Sequence, residues 1–223
     1  MKYKAIIFDM DGTIIHTEHI WRKATHQVIA NHGIELTEKM HKELELIMAG
    51  VGLMRGCQIL IELLKLETKV EDLAKEKNSI ALALLVNEIK FMEGFLEFYM
   101  QAKKLNLKMA LATNADDDAL KLVNETLNLD KLFGKHLYNV SHVGGKYKPN
   151  PDMYIYAAKQ LGYKPEECIA IEDSAHGVQA AVDAGLFCIG FNSSGVPEHV
   201  CKAHHVVHRY DQIDLKKILE LEE

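Results

Sequence analysis

Two carboxylates in the stretch Asp9-Met10-Asp11-Gly12-Thr13 follow directly on the apolar run Ala5-Ile6-Ile7-Phe8. Alternate residues of an extended segment point the same way, so Asp9 and Asp11 can face one small site. Two anions held that close repel each other unless a cation lies between them or one keeps its proton, and phosphoryl transfer through a side chain uses both remedies. Gly12 permits a sharp turn after the strand, and Thr13 supplies a hydroxyl where the turn begins. An acidic turn after a strand is on its own an ordinary loop, so the weight falls on three later segments.

The first of these is Leu111-Ala112-Thr113-Asn114-Ala115, a hydroxyl and an amide at the end of an apolar run that opens a helix. Such groups can bond a phosphate beside exposed backbone N–H groups, although helix capping alone would also explain them. In Lys148-Pro149-Asn150-Pro151-Asp152, flanking prolines fix the backbone around one lysine, and a rigidly presented ammonium can neutralise a carboxylate–phosphate cluster. The alternative is a solvated loop lysine. Those two prolines are half of the four in the chain, which argues against an incidental loop. Ile169-Ala170-Ile171-Glu172-Asp173-Ser174 ends an apolar run with a second acidic pair. Two acidic pairs at the carboxyl ends of parallel strands describe an oxygen-ligand site for a hard cation, and Mg²⁺ suits it because it takes few protein ligands, keeps waters and accepts phosphate oxygens. His176-Gly177 then lets the next helix start tightly.

The elements that must position these residues alternate along the carboxyl-terminal part. Leu107–Ala112, Cys168–Ile171 and Leu186–Gly190 read as short apolar strands separated by helical stretches. Asp116, Asp117 and Asp118 sit in a first helical turn, where acidic residues suit the helix dipole, and are read as capping. Alternating strands and helices imply an α/β fold with a parallel sheet covered on both faces. Residues 16–90 differ: helical periodicity dominates and no strand pattern is present. The expectation is therefore a Rossmann-like parallel-sheet core, residues 1–15 and 91–223, with an inserted all-helical cap, residues 16–90. A cap joined just after the acidic turn is placed to close over it.

Composition narrows the function. The chain has 223 residues, 48% of them hydrophobic, enough for a core and a small second domain. With a net charge of −6 and no basic block, nucleic-acid binding over a broad positive surface is not expected. The apolar run after Lys4 stops at Asp9, far short of a signal peptide, and no segment approaches membrane-spanning length. Cys57, Cys168, Cys188 and Cys201 are scattered without metal or redox spacing, as for reduced thiols of a cytoplasmic protein. A soluble cytoplasmic enzyme is expected, without membrane or nucleic-acid partner and with monomer as the default.

The order DxDGT, apolar strand with Thr, Lys-Pro-x-Pro-Asp, apolar strand with Glu-Asp-Ser-x-x-Gly resembles the haloacid dehalogenase superfamily, and within it the phosphatase and β-phosphoglucomutase-like branch with a helical cap. The resemblance covers nearly the whole chain. It implies that Asp9 is the nucleophile that forms an aspartyl-phosphate, and that Asp11 is general acid and then general base while its backbone carbonyl ligates the metal. It implies that Thr113, Asn114 and Lys148 bind the phosphoryl group, and that Asp173 ligates Mg²⁺ beside Asp9, with Glu172 as a ligand or just behind one. The true dehalogenases lack the second aspartate of the first motif, so Asp11 argues for phosphate chemistry. Phosphonate-cleaving relatives use a cap lysine as Schiff-base former, but none of Lys23, Lys39 and Lys42 stands out.

The mutase branch resembles this chain around Thr17-Glu18, but usually carries a histidine and a tryptophan where this chain has Trp21 and Thr25. Its Gly-Val-Ser-Arg cap loop is here Gly50-Val51-Gly52-Leu53, with Arg55 two residues late. These departures favour a Mg²⁺-dependent phosphatase acting on a small phosphorylated metabolite, such as a sugar phosphate. A phosphosugar mutase and a non-catalytic phosphometabolite-binding protein are the alternatives. Trp21, Gly50 and Arg55 are the cap candidates for substrate specificity, and Lys146 competes with Lys148 if the loop is shifted. The glycines at 50, 52 and 56 follow a helical pattern and do not make a dinucleotide fingerprint. His199, Cys201, His204, His205 and His208 fit no closed zinc set and read as a surface strand and loop.

Overall fold

Four consecutive apolar residues, Ala5–Phe8, form strand β1, all of them buried, and a strand covered on both faces is what an unbroken apolar run produces. The computed structural model describes residues 2–48 and 53–220. Strands β2 (Lys108–Ala112), β3 (Leu137–Tyr138), β4 (Cys168–Glu172), β5 (Phe187–Phe191) and β6 (His205–Val207) join β1 in one sheet of order β3-β2-β1-β4-β5-β6. Every neighbouring pair is parallel.

The helices, in chain order, are α1 (Glu18–Asn31), α2 (Glu38–Met48), α3 (Leu53–Leu64), α4 (Val70–Glu88), α5 (Phe95–Lys104), α6 (Asp117–Leu127), α7 (Leu129–Phe133), α8 (Asp152–Leu161), α9 (Ala175–Asp183) and α10 (Leu215–Leu219). The chain divides into two compact units, Met1–His16 with Lys90–Glu223, and Thr17–Ile89. None of the described helices is long and apolar enough to cross a membrane.

In the sheet unit, alternate residues of β1 serve different cores. Ala5 and Ile7 pack with Ala110, Ala112, Met153, Tyr154, Ala157, Val178 and Ala181, where small residues let α8 and α9 approach the strands. Phe8 instead meets the rings of Phe95, Phe98 and Phe133 edge-on, with centroids 5.6, 6.1 and 5.9 Å away. Tyr210 continues that aromatic layer, tilted against Phe98 and Phe191, and donates its hydroxyl to the carbonyl of Thr13 at 3.0 Å. The two stretches that leave and re-enter this unit are hydrogen-bonded to each other. His16 N–H donates to Lys90 O, Met92 N–H donates to Ile14 O, and Ile15 and Phe91 form an antiparallel bridge.

Among its described residues the other unit consists of helices joined by loops, with no strand. Val28 and Ile29 of α1, Leu44 of α2, Cys57 and Leu60 of α3 and Leu73 and Ala74 of α4 make its core. Lys23 clamps both oxygens of Glu88 at 2.7 Å, and Asn31 donates to Glu76 at 2.8 Å, tying α1 to α4.

Candidate active site

Register decides where the chemistry sits. Phe8 of β1 lies level with Leu111 of β2 and Ile171 of β4. The residues that follow, Asp9, Ala112-Thr113 and Glu172-Asp173, therefore emerge at one edge, the carboxyl ends of three adjacent parallel strands. From β1 the sheet runs through β2 to β3 on one side and through β4 to β6 on the other. The strand order reverses there, and a crevice outside the strand ends is the usual ligand position in such sheets.

Lys148 fills the centre of this edge. Its ammonium donates to Asp9 Oδ1 and Glu172 Oε1, both at 2.6 Å, and to the carbonyl of Ala112 at 2.8 Å. The side chain of Lys148 is 2% exposed, that of Glu172 0% and that of Asp9 11%, so only the nucleophile candidate of the three opens outward. The loop that delivers the lysine is tied down: Asn114 Oδ1 accepts from the Lys148 N–H at 2.9 Å, and the Lys148–Pro149 peptide is cis. Lys146 points elsewhere, to Asp152 at 2.5 Å, so Lys148 is the lysine of the cluster. Thr113 is buried at the end of β2, its Oγ1 accepting from Ala115 N–H at 3.1 Å, which leaves the hydroxyl proton to donate.

Ligand atoms of Asp9, Glu172 and Asp173 lie within 4.8 Å of one another. Burial pushes the Asp9 carboxyl up to about 8; Glu172 and Asp11 add to the rise, and Lys148 opposes it. Asp173 is pushed well above the carboxylate range by burial first and then by Asp9, Glu172 and Asp11. Burial alone would lower the Lys148 ammonium, but Asp9 and Glu172 outweigh it and hold the lysine charged. The raised Asp9 and the raised Lys148 pull in opposite directions on one ion pair. The 2.6 Å contact and the charged lysine favour an ionised Asp9, whose excess repulsion comes from the other carboxylates. One ammonium faces three carboxylates, a charge balance suited to an additional hard cation with oxygen ligands.

Two glycines make the cluster fit. Gly12 has φ 72°, and a Cβ there would lie 1.9 Å from Asp173 Oδ2, so the turn after β1 cradles that carboxylate. A Cβ on Gly177 would lie 1.8 Å from Glu172 Oε1. This close approach is the role of Gly177; a tight helix start alone does not require it. The Ser174 hydroxyl caps α9 by accepting from Gly177 N–H and donates to Glu172 Oε2 at 3.2 Å. Tyr154 of α8, fully buried, donates to Glu172 Oε1 at 2.7 Å. Ser174 and Gly177 fall within the Glu-Asp-Ser-x-x-Gly pattern, but the pattern does not mark them as contacts of Glu172, and Tyr154 lies outside the motifs. Tyr154 reads in sequence as one more apolar position on the buried face of a helix.

The cap candidates Trp21 and Arg55 belong to the helical unit. Trp21 of α1 is partly buried, with the Lys77 ammonium 6.0 Å from its ring centroid. Lys77 is itself buried, which lowers its pKa. Arg55 is exposed on α3. Gly50 lies outside the described residues. Of the acidic run at α6, Asp116 is the cap, accepting from Ala119 N–H at 2.8 Å. Asp117 instead takes bonds from Asn139 and Ser141 at 2.7 and 2.9 Å. His204 accepts from Cys188 N–H and stacks on Phe187, a packing role at the sheet edge.

The fold and the site together are a parallel α/β sheet with carboxylates and a lysine gathered at its topological switch. A sequence profile of haloacid dehalogenase-like hydrolases matches residues 3–185, and the chain belongs to that family. It is a phosphoric monoester hydrolase. It is 30% identical over 184 residues to the phosphorylated carbohydrates phosphatase of Thermotoga maritima, covering 82% of each chain. It is 28% identical over 187 residues to a fructose-1-phosphate phosphatase of Escherichia coli, covering 83% of this chain and 94% of the other. The crystal structure of a β-phosphoglucomutase from Clostridium difficile superposes with a TM-score of 0.73 at 26% identity, covering 98% of this chain and 96% of that one.

Proposed function

We propose that the protein is a Mg²⁺-dependent phosphatase of a small phosphorylated carbohydrate, working through an aspartyl-phosphate on Asp9. The observation that carries this reading is the buried set in which Lys148 bridges Asp9 and Glu172 at 2.6 Å, with Asp173 in reach. The relatives named for phosphorylated carbohydrates and fructose 1-phosphate support the substrate class.

In the first step a carboxylate oxygen of Asp9 attacks phosphorus, the ester P–O bond breaks, and Asp11 gives its proton to the leaving alkoxide. In the second, water attacks the same phosphorus and loses a proton to Asp11, and the P–O bond to Asp9 breaks, releasing phosphate. Lys148 offsets negative charge at Asp9 throughout, and Thr113 and Asn114 would hold phosphoryl oxygens. Asp9 and Asp173 would hold Mg²⁺ through their side chains and Asp11 through its carbonyl, with Glu172 as a ligand or just behind one. The bound ion supplies charge neutralisation between these carboxylates and the phosphoryl oxygens.

The β-phosphoglucomutase likeness makes a phosphosugar mutase the second reading. Both are tested by incubating the protein with β-glucose 1-phosphate, fructose 1-phosphate and a panel of small phosphate esters, with Mg²⁺ or with EDTA. Free phosphate and isomerised sugar phosphate are both assayed. Mg²⁺-dependent free phosphate is the expected result. Glucose 6-phosphate without net phosphate release would replace the reading with a mutase, and tight binding without turnover would make the protein a phosphometabolite binder.

A further inference from the structure

The Lys148 ammonium has three protons and three close oxygen acceptors, Asp9 Oδ1, Glu172 Oε1 and the Ala112 carbonyl. A fourth neighbour, Tyr154 Oη, is farther away at 3.3 Å, so the ammonium does not depend on it. The Tyr154 hydroxyl proton instead goes to Glu172 Oε1 at 2.7 Å. Oε1 thereby accepts from both Lys148 and Tyr154, while Oε2 accepts from the Ser174 hydroxyl. Gly177 closes the remaining side, with no room for even a methyl group against the carboxylate. The Glu172 carboxylate is thus held by Lys148, Tyr154 and Ser174, and one of its oxygens lies within 4.8 Å of ligand atoms of Asp9 and Asp173.

We infer that Tyr154 is a positioning residue: its hydroxyl holds the Glu172 carboxylate on Lys148 as a fixed counter-ion and keeps it from turning to ligate the metal directly. The inference rests on the phosphatase reading and refines the place of Glu172 within it. The arrangement matters when Asp9 becomes phosphorylated. Asp9 Oδ1 then no longer offers Lys148 a carboxylate oxygen, and Glu172 must hold the ammonium at its post beside the phosphoryl group. Without the Tyr154 hydroxyl, Oε1 loses a neutral donor and the carboxylate is freer to compete for the cation. Two effects of opposite sign follow: Mg²⁺ binds more tightly while turnover becomes slower. A merely structural role for the hydroxyl would weaken both or leave both unchanged.

The test compares the wild type with Tyr154→Phe, which keeps the ring over Lys148 and removes only the hydroxyl. Calorimetric titration with Mg²⁺ in the absence of substrate is set beside kcat for p-nitrophenyl phosphate at saturating Mg²⁺. Loss of one buried hydrogen bond predicts an Mg²⁺ Kd lower by about threefold to fivefold and a kcat lower by about tenfold. An Mg²⁺ Kd that is unchanged or raised in the folded variant overturns the inference, whatever happens to kcat. Should Tyr154→Phe fail to fold, Ser174→Ala releases the carboxylate from its other oxygen. Tighter Mg²⁺ binding supports the inference there and unchanged or weaker binding refutes it. If the wild type shows no Mg²⁺-dependent turnover on any ester, the phosphatase reading fails, and the calorimetric comparison still decides the placement of Glu172.

Discussion

Lys148→Met tests the electrostatics of the site through stability, independently of any substrate. The replacement keeps an aliphatic stem of similar length and removes a 2%-exposed ammonium from between Asp9 and Glu172, each 2.6 Å away. Removing one partner of a buried ion pair costs about 3–5 kcal/mol, because the remaining charges stay buried without compensation. For a chain of this length that corresponds to a fall in Tm of roughly 10 °C.

The sign with pH is also fixed. Lys148 lowers the Asp9 carboxyl in the native protein, so its loss pushes Asp9 further up. A carboxyl raised in the folded state leaves that state binding more protons than the unfolded chain, and stability then falls as pH rises through the interval between the two pKa values. The deficit of Lys148→Met should therefore be smaller at pH 5 than at pH 8, and Glu172→Gln added to it should recover part of the loss. Urea denaturation in EDTA at both pH values measures this. A deficit below about 1 kcal/mol at pH 8, or one larger at pH 5, would refute the charge balance argued for the site.

Other perturbations probe neighbouring parts of the account. Gly177→Ala forces a methyl group into the Glu172 carboxylate, which Lys148, Tyr154 and Ser174 hold in place. Overpacking of this kind should cost about 1–3 kcal/mol in chemical denaturation and slow turnover at least tenfold. In metal-free protein the raised Asp173 carboxyl makes stability fall as pH rises above the ordinary carboxylate range. Protons and Mg²⁺ compete for the same oxygens, so the rise in Tm on adding Mg²⁺ should be larger at pH 8.5 than at pH 6, and a shift that is flat or reversed with pH would count against the cluster as the cation site. Asp11→Asn should slow alkyl phosphates more than aryl phosphates, since a better leaving group needs less protonation; equal losses in kcat would remove Asp11 as the acid.

The sheet and its site edge were legible because strong local signals coincided there. Ala5–Phe8 and Cys168–Ile171 are unbroken apolar runs, and each is followed at once by residues whose burial needs a chemical reason. Shorter strands gave weaker signals. β3 has only Leu137 and Tyr138, too few residues to show a period, and β6 begins with a histidine in a histidine-rich stretch that invites a metal reading. The candidate site was legible as residues but not as a network. Which carboxylate takes the lysine depends on how α8 and α9 pack beneath β4, and no spacing along the chain encodes that. Tyr154 and Gly177 acquire their roles only there. Asp117 shows the same limit: a first-turn aspartate reads as a cap, yet its carboxylate reaches across to Asn139 beyond β3.

The central claim is that Asp9 carries the phosphoryl group. Rapid quenching of the wild type during turnover of p-nitrophenyl phosphate in Mg²⁺, followed by borohydride reduction and peptide mass spectrometry, reads it directly. An aspartyl-phosphate is reduced to homoserine, so the account predicts homoserine at position 9, at no other aspartate, and none in Asp9→Asn. Sustained turnover with position 9 unmodified under every quench time would contradict it.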